Sequence, residues 1–247
     1  FDKKNNNIDF DGMLQSIKGI PENDIVVLHG CCHNPTGADL NKDQWIQITE
    51  LIRKKNLVTI CDFAYQGLGE GIENDAVGVR TLLKNLDNLI ICSSYSKNFG
   101  LYSERVGCLI YHSKNMNNYS SVQSNFKKVA RTIYSNPPSH GSDIVKTILS
   151  DENLKSLWEI NLSEAKNRII NMRKSLVENL VKENCSRDFE FIINQKGMFS
   201  FTGLSSDEVN QLKEKFSIYI VNSGRINVAG VTSKNVNYIA KAISSVI

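Results

Sequence analysis

The sequence predicts an α/β fold: a large three-layer α/β/α domain with a mostly parallel sheet over residues 1–160, then a smaller α+β C-terminal domain over residues 161–247. Three observations lead there. Short continuous apolar runs, IVVL at 25–28, LVTIC at 57–61 and NLIIC at 88–92, read as strands covered on both faces, as in parallel sheets. Stretches with apolar residues at helical spacing separate them, and that alternation builds a layered sheet. After about residue 140 the texture changes to long, charged helical stretches, followed by strands and helices without strict alternation.

The elements follow in order. The opening FDKKNNNIDFDG is polar, and Met13, Leu14 and Ile17 then recur at helical spacing. DIVVLHG is the first strand. Residues 41–56 place Trp45, Ile48 and Ile52 on one face with charges opposite, an amphipathic helix that returns the chain. LVTICD is the second strand, VGVRTLLKNL (77–86) a helix, NLIICSS (88–94) and VGCLIY (106–111) further strands. HGSDIVKTILSDENLKSLWEINL and SEAKNRIINMRKSLVENLVKE are helical, with Ile169, Met172, Leu176 and Leu180 on one face. FEFII (189–193), MFSFTG (198–203), FSIYIV and RINVAG read as strands; Ser205-x-x-Glu208 has capping-box spacing and opens a helix, and another helix ends the chain.

Composition narrows the functional classes. With 247 residues and 41% hydrophobic content, the chain buries a substantial core. The net charge is +3 and the lysines fall in scattered pairs, which gives nucleic-acid binding no support. No apolar run approaches the length of a membrane span, so no membrane partner is expected. Of six cysteines, Cys61, Cys92 and Cys108 sit in apolar runs and are expected to pack as free thiols in a reducing compartment, the cytoplasm. The chain begins at Phe1, not Met, so upstream sequence is expected.

HGCCHNPTG, residues 29–37, raises the prospect of a metal-binding module made of His29, Cys31, Cys32 and His33. Adjacent cysteines rarely chelate one tetrahedral zinc, and no second CxxC pair completes a site, so no metal is expected. A stronger pattern lies at the strand ends, where open α/β sheets bind ligands. Lys97 follows one buried strand, Asp62 ends another and Asn34 follows a third; Arg105 comes eight residues after Lys97. A lysine, an acid and an arginine converging on one cleft match the needs of a pyridoxal phosphate enzyme: a Schiff-base amine, a partner for the pyridine nitrogen, and a cation for the phosphate.

HGCCHNPTG, CDFAYQGLGEG, SYSKNFGLYSERVG, RTIYSNPPSHG, KGMFSFTGL and SGRINVAGVT, in that order and spacing, make the chain resemble the aspartate aminotransferases, class I pyridoxal phosphate enzymes of fold type I, almost end to end. The resemblance implies that Lys97 is the Schiff-base lysine and proton shuttle. It makes Asp62 the partner of the pyridine nitrogen, Asn34 and Tyr65 donors to the cofactor's 3′-oxygen, and Ser94 and Arg105 the phosphate holders. Arg225, with Asn34, takes the substrate α-carboxylate. Arg131 takes the distal carboxylate from across the interface of a homodimer, and a site built around such a contact rejects a substrate lacking it by a factor on the order of 10⁴. His29 stands behind Asp62, Phe199 forms the cleft wall, and the Asn34-Pro35 bond is expected cis.

The implied reaction passes the amino group of L-aspartate to 2-oxoglutarate, giving oxaloacetate and L-glutamate by a ping-pong route. An aromatic or broader amino-acid specificity within the same class is the alternative. The family's phosphate-cupping loop, ring-stacking aromatic, donated tyrosine and N-terminal arm have no counterpart here, so the N-terminal part of the family chain is expected to be missing. These 247 residues alone are then expected to bind cofactor poorly and not to catalyse; robust turnover by them would overturn that.

Overall fold

Asp9 starts the first helix, α1 (Phe10–Gly19), by accepting the Gly12 N–H on its carboxylate. In the computed structural model, which describes residues 1–247 apart from the side chain of Met116, the chain next enters β1 (Ile25–His29). Asn41 and Gln44 then close a reciprocal capping box that opens α2 (Lys42–Lys54), with Trp45, Ile48, Thr49 and Ile52 buried. After β2 (Val58–Phe63) come the short α3 (Ile72–Asp75), α4 (Val77–Asn85) and β3 (Asn88–Ser94), then β4 (Gly107–Ser113).

These strands form one sheet in the order β1-β2-β3-β4, the first three parallel and β4 antiparallel. The α/β expectation with a mostly parallel sheet is therefore met. Val26, Leu28, Cys61, Phe63, Leu89 and Ile91 project from one face into the core with Trp45, Ile48, Ile52, Val79 and Leu82. Gly78 lets α4 approach the Trp45 ring, which a Cβ there would meet at 2.4 Å.

The other sheet face is open along part of β1 in this chain. Within the described residues β1 alternates exposed and buried, leaving Ile25 56% and Val27 62% exposed. A continuous apolar run does not by itself reveal whether both faces are covered. Cys108 on β4 is likewise exposed, not packed, whereas Cys61 is fully buried. All six cysteines are unbonded.

Beyond the sheet lie α5 (Tyr119–Tyr134), α6 (His140–Ser150) and α7 (Glu152–Lys182). Asp151 separates the last two by capping α7 through the N–H groups of Asn153 and Leu154. From there α7 runs unbroken for 31 residues, straight through the position expected for the domain boundary at 160. No helix among the described residues is long and apolar enough to cross a membrane.

The rest of the chain holds α8 (Phe191–Asn194), β5 (Phe199–Phe201), α9 (Ser206–Phe216), β6 (Arg225–Asn227) and α10 (Val236–Val246); β5 and β6 pair antiparallel. Two strand expectations fail here. FEFII is instead a helical turn, because Phe189 and Ile192, three apart, are the buried pair and Ile193 faces out. FSIYIV does not pair. Phe216 ends α9, Ser217 adopts the left-handed region (φ 53°), and Ile218 donates its N–H back to Leu212 O. RINVAG is a strand only through Asn227, after which Val228–Gly230 winds into a 3₁₀ turn.

Candidate active site

The loop after β1 is shaped by a half-buried acid. Asp39 accepts the N–H groups of Cys32 at 2.6 Å and His33 at 2.8 Å, which lets Cys32 stand at φ 51° and turns the chain into Asn34. The Asn34-Pro35 peptide is cis, as expected. Gly37, at φ 72°, closes the loop against the 196–199 segment: Lys196 donates its N–H to Gly37 O at 2.7 Å, and a Cβ on Gly37 would lie 2.6 Å from Phe199 O.

Parallel pairing then aligns the strand ends. His29 lies opposite Asp62, and Asp62 opposite Cys92, so the three occupy one row on one sheet face. Tyr65 follows β2 in a loop organised by Asp75, whose buried carboxylate accepts from Gly67, Gly69 and Glu70 at 2.8, 3.0 and 2.7 Å.

Lys97 sits in the turn after β3. Asn98 donates to Gln66 O at 3.2 Å, while the indole N–H of Trp158 on α7 donates to Asn98 O at 2.8 Å and its ring stacks on Phe99 at 4.6 Å. The turn is thereby tied both to the Tyr65 loop and to the long helix. Lys97 Nζ lies 4.6 Å from the Tyr65 ring centroid.

Arg225, at the start of β6, donates to Asn34 Oδ1 at 3.3 Å and lies 4.7 Å from the Phe199 ring; Phe199 meets Tyr65 edge-on at 6.4 Å. Because a guanidinium only donates, this contact identifies the accepting atom of Asn34 as its oxygen. The Asn34 Nδ2 then donates to Tyr65 Oη at 3.1 Å. Burial pushes the Tyr65 phenol up, so it keeps its proton at neutral pH. That proton is left for an acceptor outside the relay. The arrangement Arg225→Asn34→Tyr65 thus presents an O–H donor, beside an amine, to an electron-rich oxygen.

The structure brings Asn34, Tyr65, Lys97, Phe199 and Arg225 together, with His29 and Asp62 on one strand row. Ser94 Oγ accepts the Ser96 N–H at 3.2 Å near the same turn. Arg105 is exposed at φ 52° and donates to Tyr102 O at 3.1 Å. Arg131 is exposed on α5, and among the described residues no side-chain hydrogen bond or ion pair joins it to these groups.

The alternative metal set is not assembled. His29 and His33 lie ring to ring at 4.6 Å, and His33 Nδ1 bonds Thr36 Oγ1 at 2.8 Å. Cys31 and Cys32 cluster instead with Asp75, within 4.8 Å. That carboxylate is already taken by three N–H groups. The Cys31 thiol and burial hold the Cys32 thiol well above its usual range, where it stays protonated and a poor ligand.

Asp39 and Asp75 were not singled out from the sequence, nor was Trp158. Their partners are backbone groups or rings gathered by the fold, and no spacing motif marks them.

Comparison with known proteins gives a consistent set of matches. The family model for aminotransferase class I and II matches residues 1–243. An aspartate aminotransferase of Haemophilus influenzae is 44% identical over 247 residues, all of this chain and 62% of that protein. An aromatic-amino-acid aminotransferase of Pseudomonas aeruginosa is 42% identical over 241 residues, 98% of this chain and 60% of its own length. The crystal structure of an aromatic-amino-acid aminotransferase from Burkholderia pseudomallei, covalently bound to pyridoxal phosphate, superposes with a TM-score of 0.97 at 46% identity, covering 100% of this chain and 62% of that one. The chain therefore spans about three fifths of the length of the relatives it matches.

Proposed function

This chain belongs to the aminotransferase class I and II family, and on that premise we propose that it serves an aspartate transaminase that holds pyridoxal 5′-phosphate and passes the amino group of L-aspartate to 2-oxoglutarate. The products are oxaloacetate and L-glutamate, formed by a ping-pong sequence. The observation that carries this reading is the relay from Arg225 through Asn34 to Tyr65 beside Lys97.

The donor set fits the cofactor. Its 3′-oxygen would accept from the Tyr65 O–H, and Asn34 would support the same contact. Asp62, on the row with His29, would take the pyridine N–H, and a carboxylate there keeps that nitrogen protonated. Ser94 and Arg105 would hold the phosphate, the guanidinium through a forked, charge-assisted contact. When bound, the cofactor supplies an electron sink for the pair left by the broken Cα–H bond.

The chain's own residues do the rest. Lys97 Nζ would hold the cofactor, and its amine, once free, would take the proton from substrate Cα and return it. The Tyr65 ring beneath it fixes where that amine waits. Arg225 gives one N–H to Asn34 and offers the remaining fork to the substrate α-carboxylate, with Phe199 excluding water from its face.

Arg131, exposed and bonded to none of these groups among the described residues, would bind the distal carboxylate in a neighbouring copy's site, which makes the working unit a homodimer. The unbonded cysteines favour the cytoplasm. A second reading, aromatic or broader specificity, is favoured by the aromatic-amino-acid relative at 42% identity.

The test is the visible spectrum of the whole protein with and without aspartate, followed by kcat/KM for aspartate, phenylalanine and alanine. A lysine-bound chromophore that aspartate bleaches is expected; no chromophore would sink the proposal, and preference for phenylalanine would move it to the second reading.

A further inference from the structure

We propose that Arg173 is a positioning residue for Arg225, holding β5 so that the Phe199 ring backs the guanidinium that takes the substrate α-carboxylate; the assignment rests on the transaminase reading above. Arg173 lies on α7 and is only 2% exposed. One terminal nitrogen donates to Ile192 O at 3.0 Å and to Ser200 Oγ; the other donates to Gly197 O at 2.7 Å and Phe199 O at 2.8 Å.

No carboxylate pairs with this cation among the described residues, and its Nε has no partner. Burial brings the guanidinium down to about 10, which leaves it charged at neutral pH. A buried charge without a counter-ion is costly, and an apolar side chain of similar volume would pack the same space more cheaply. What the guanidinium adds is a planar fork that gathers acceptors from the 192–200 segment.

That grip sets the rotation of the strand. Alternate residues of a strand point to opposite faces. With Ser200 drawn inward to Arg173 and fully buried, Phe199 and Phe201 must face the other way. Phe201 pairs with Arg225 across the two-stranded sheet, and the Phe199 ring comes to 4.7 Å from the Arg225 guanidinium and 6.4 Å from the Tyr65 ring. Lysine would preserve the charge but not the fork, so β5 would lose its fixed rotation.

The experiment compares Arg173→Lys and Ser200→Ala with the wild-type holoenzyme. The expected result is a rise of roughly tenfold in KM for aspartate and, in parallel, for 2-oxoglutarate, since both present the same carboxylate; kcat should change less than about twofold. The chromophore and its pH dependence should be retained. A lowered melting temperature with unchanged KM values for Arg173→Lys would mean packing alone and overturn the assignment. If Arg173→Lys fails to fold, Ser200→Ala, which removes an acceptor that Arg173 gathers on β5 and touches none of the site's own groups, decides: a KM rise supports the assignment and an unchanged KM overturns it. Absence of the chromophore in the wild-type protein would remove the transaminase reading and this assignment with it. A chromophore present throughout, with all KM values equal, would remove this assignment alone.

Discussion

At the scale of single residues, the orientation of the Asn34 amide decides what the site can bind. Its oxygen accepts from Arg225 and its nitrogen donates to Tyr65, so the donors run in one direction, from the guanidinium to the phenol. Lys97→Ala should abolish the lysine-bound chromophore in the whole protein; an absorbance that persists with its pH dependence would reassign the nucleophile. His33 gives a pH prediction. Burial, helped by neighbouring His29, lowers it to about 4. The unfolded chain takes up a proton near pH 6.5 that the folded chain refuses until about 4. Stability from this group is complete above pH 6.5 and drains away as pH falls toward 4, by on the order of 1 kcal/mol once solvent screening is allowed for. Urea midpoints across that range should fall less steeply for His33→Gln than for wild type. Lys97, Asp62 and Asn34 were legible because chemistry collects at strand ends, which apolar runs locate. Asp39, Asp75 and Arg173 were not, because each serves backbone groups that only the folded chain brings within reach.

At the scale of elements, local signals were readable where the partners are local. The Ser205-x-x-Glu208 box forms in both directions at 3.2 and 2.7 Å. Ser205→Ala should cost about 1 kcal/mol and lower the denaturation midpoint; an unchanged midpoint would mean the cap contributes nothing. Composition misled where the neighbour decides. FEFII has strand residues but buries Phe189 and Ile192 at helical spacing, and Ile218 in FSIYIV spends its N–H on the end of α9. Nor could the run IVVL disclose that Val27 would be exposed within the described residues, since burial of a face depends on what lies above it.

At the scale of the whole molecule, the exposed position of Arg131 on α5 makes a prediction about assembly. If it completes a neighbour's site, mixing Lys97→Ala with Arg131→Ala protein under conditions of subunit exchange should restore activity, to about a quarter of wild type: half of the dimers are mixed and each has one complete site. No recovery would confine Arg131 to its own subunit. The layered α/β plan was readable from strand spacing, whereas the single helix crossing the expected boundary was not, because its Asp151 cap marks the start of α7 and nothing local marks its function. That helix reaches three segments around the candidate site: Trp158 holds the lysine turn, Arg168 donates to Ala229 O and Val231 O just past β6, and Arg173 grips β5. From Trp158 to Arg173 is about 22 Å of rise, and each residue adds roughly 100° of rotation. One inserted residue between Trp158 and Arg168 would therefore throw the amine and the carboxylate clamp out of phase together. Like lobes on a camshaft, they are timed to each other by helical pitch, and evolution can lengthen the loops around them far more freely than this shaft.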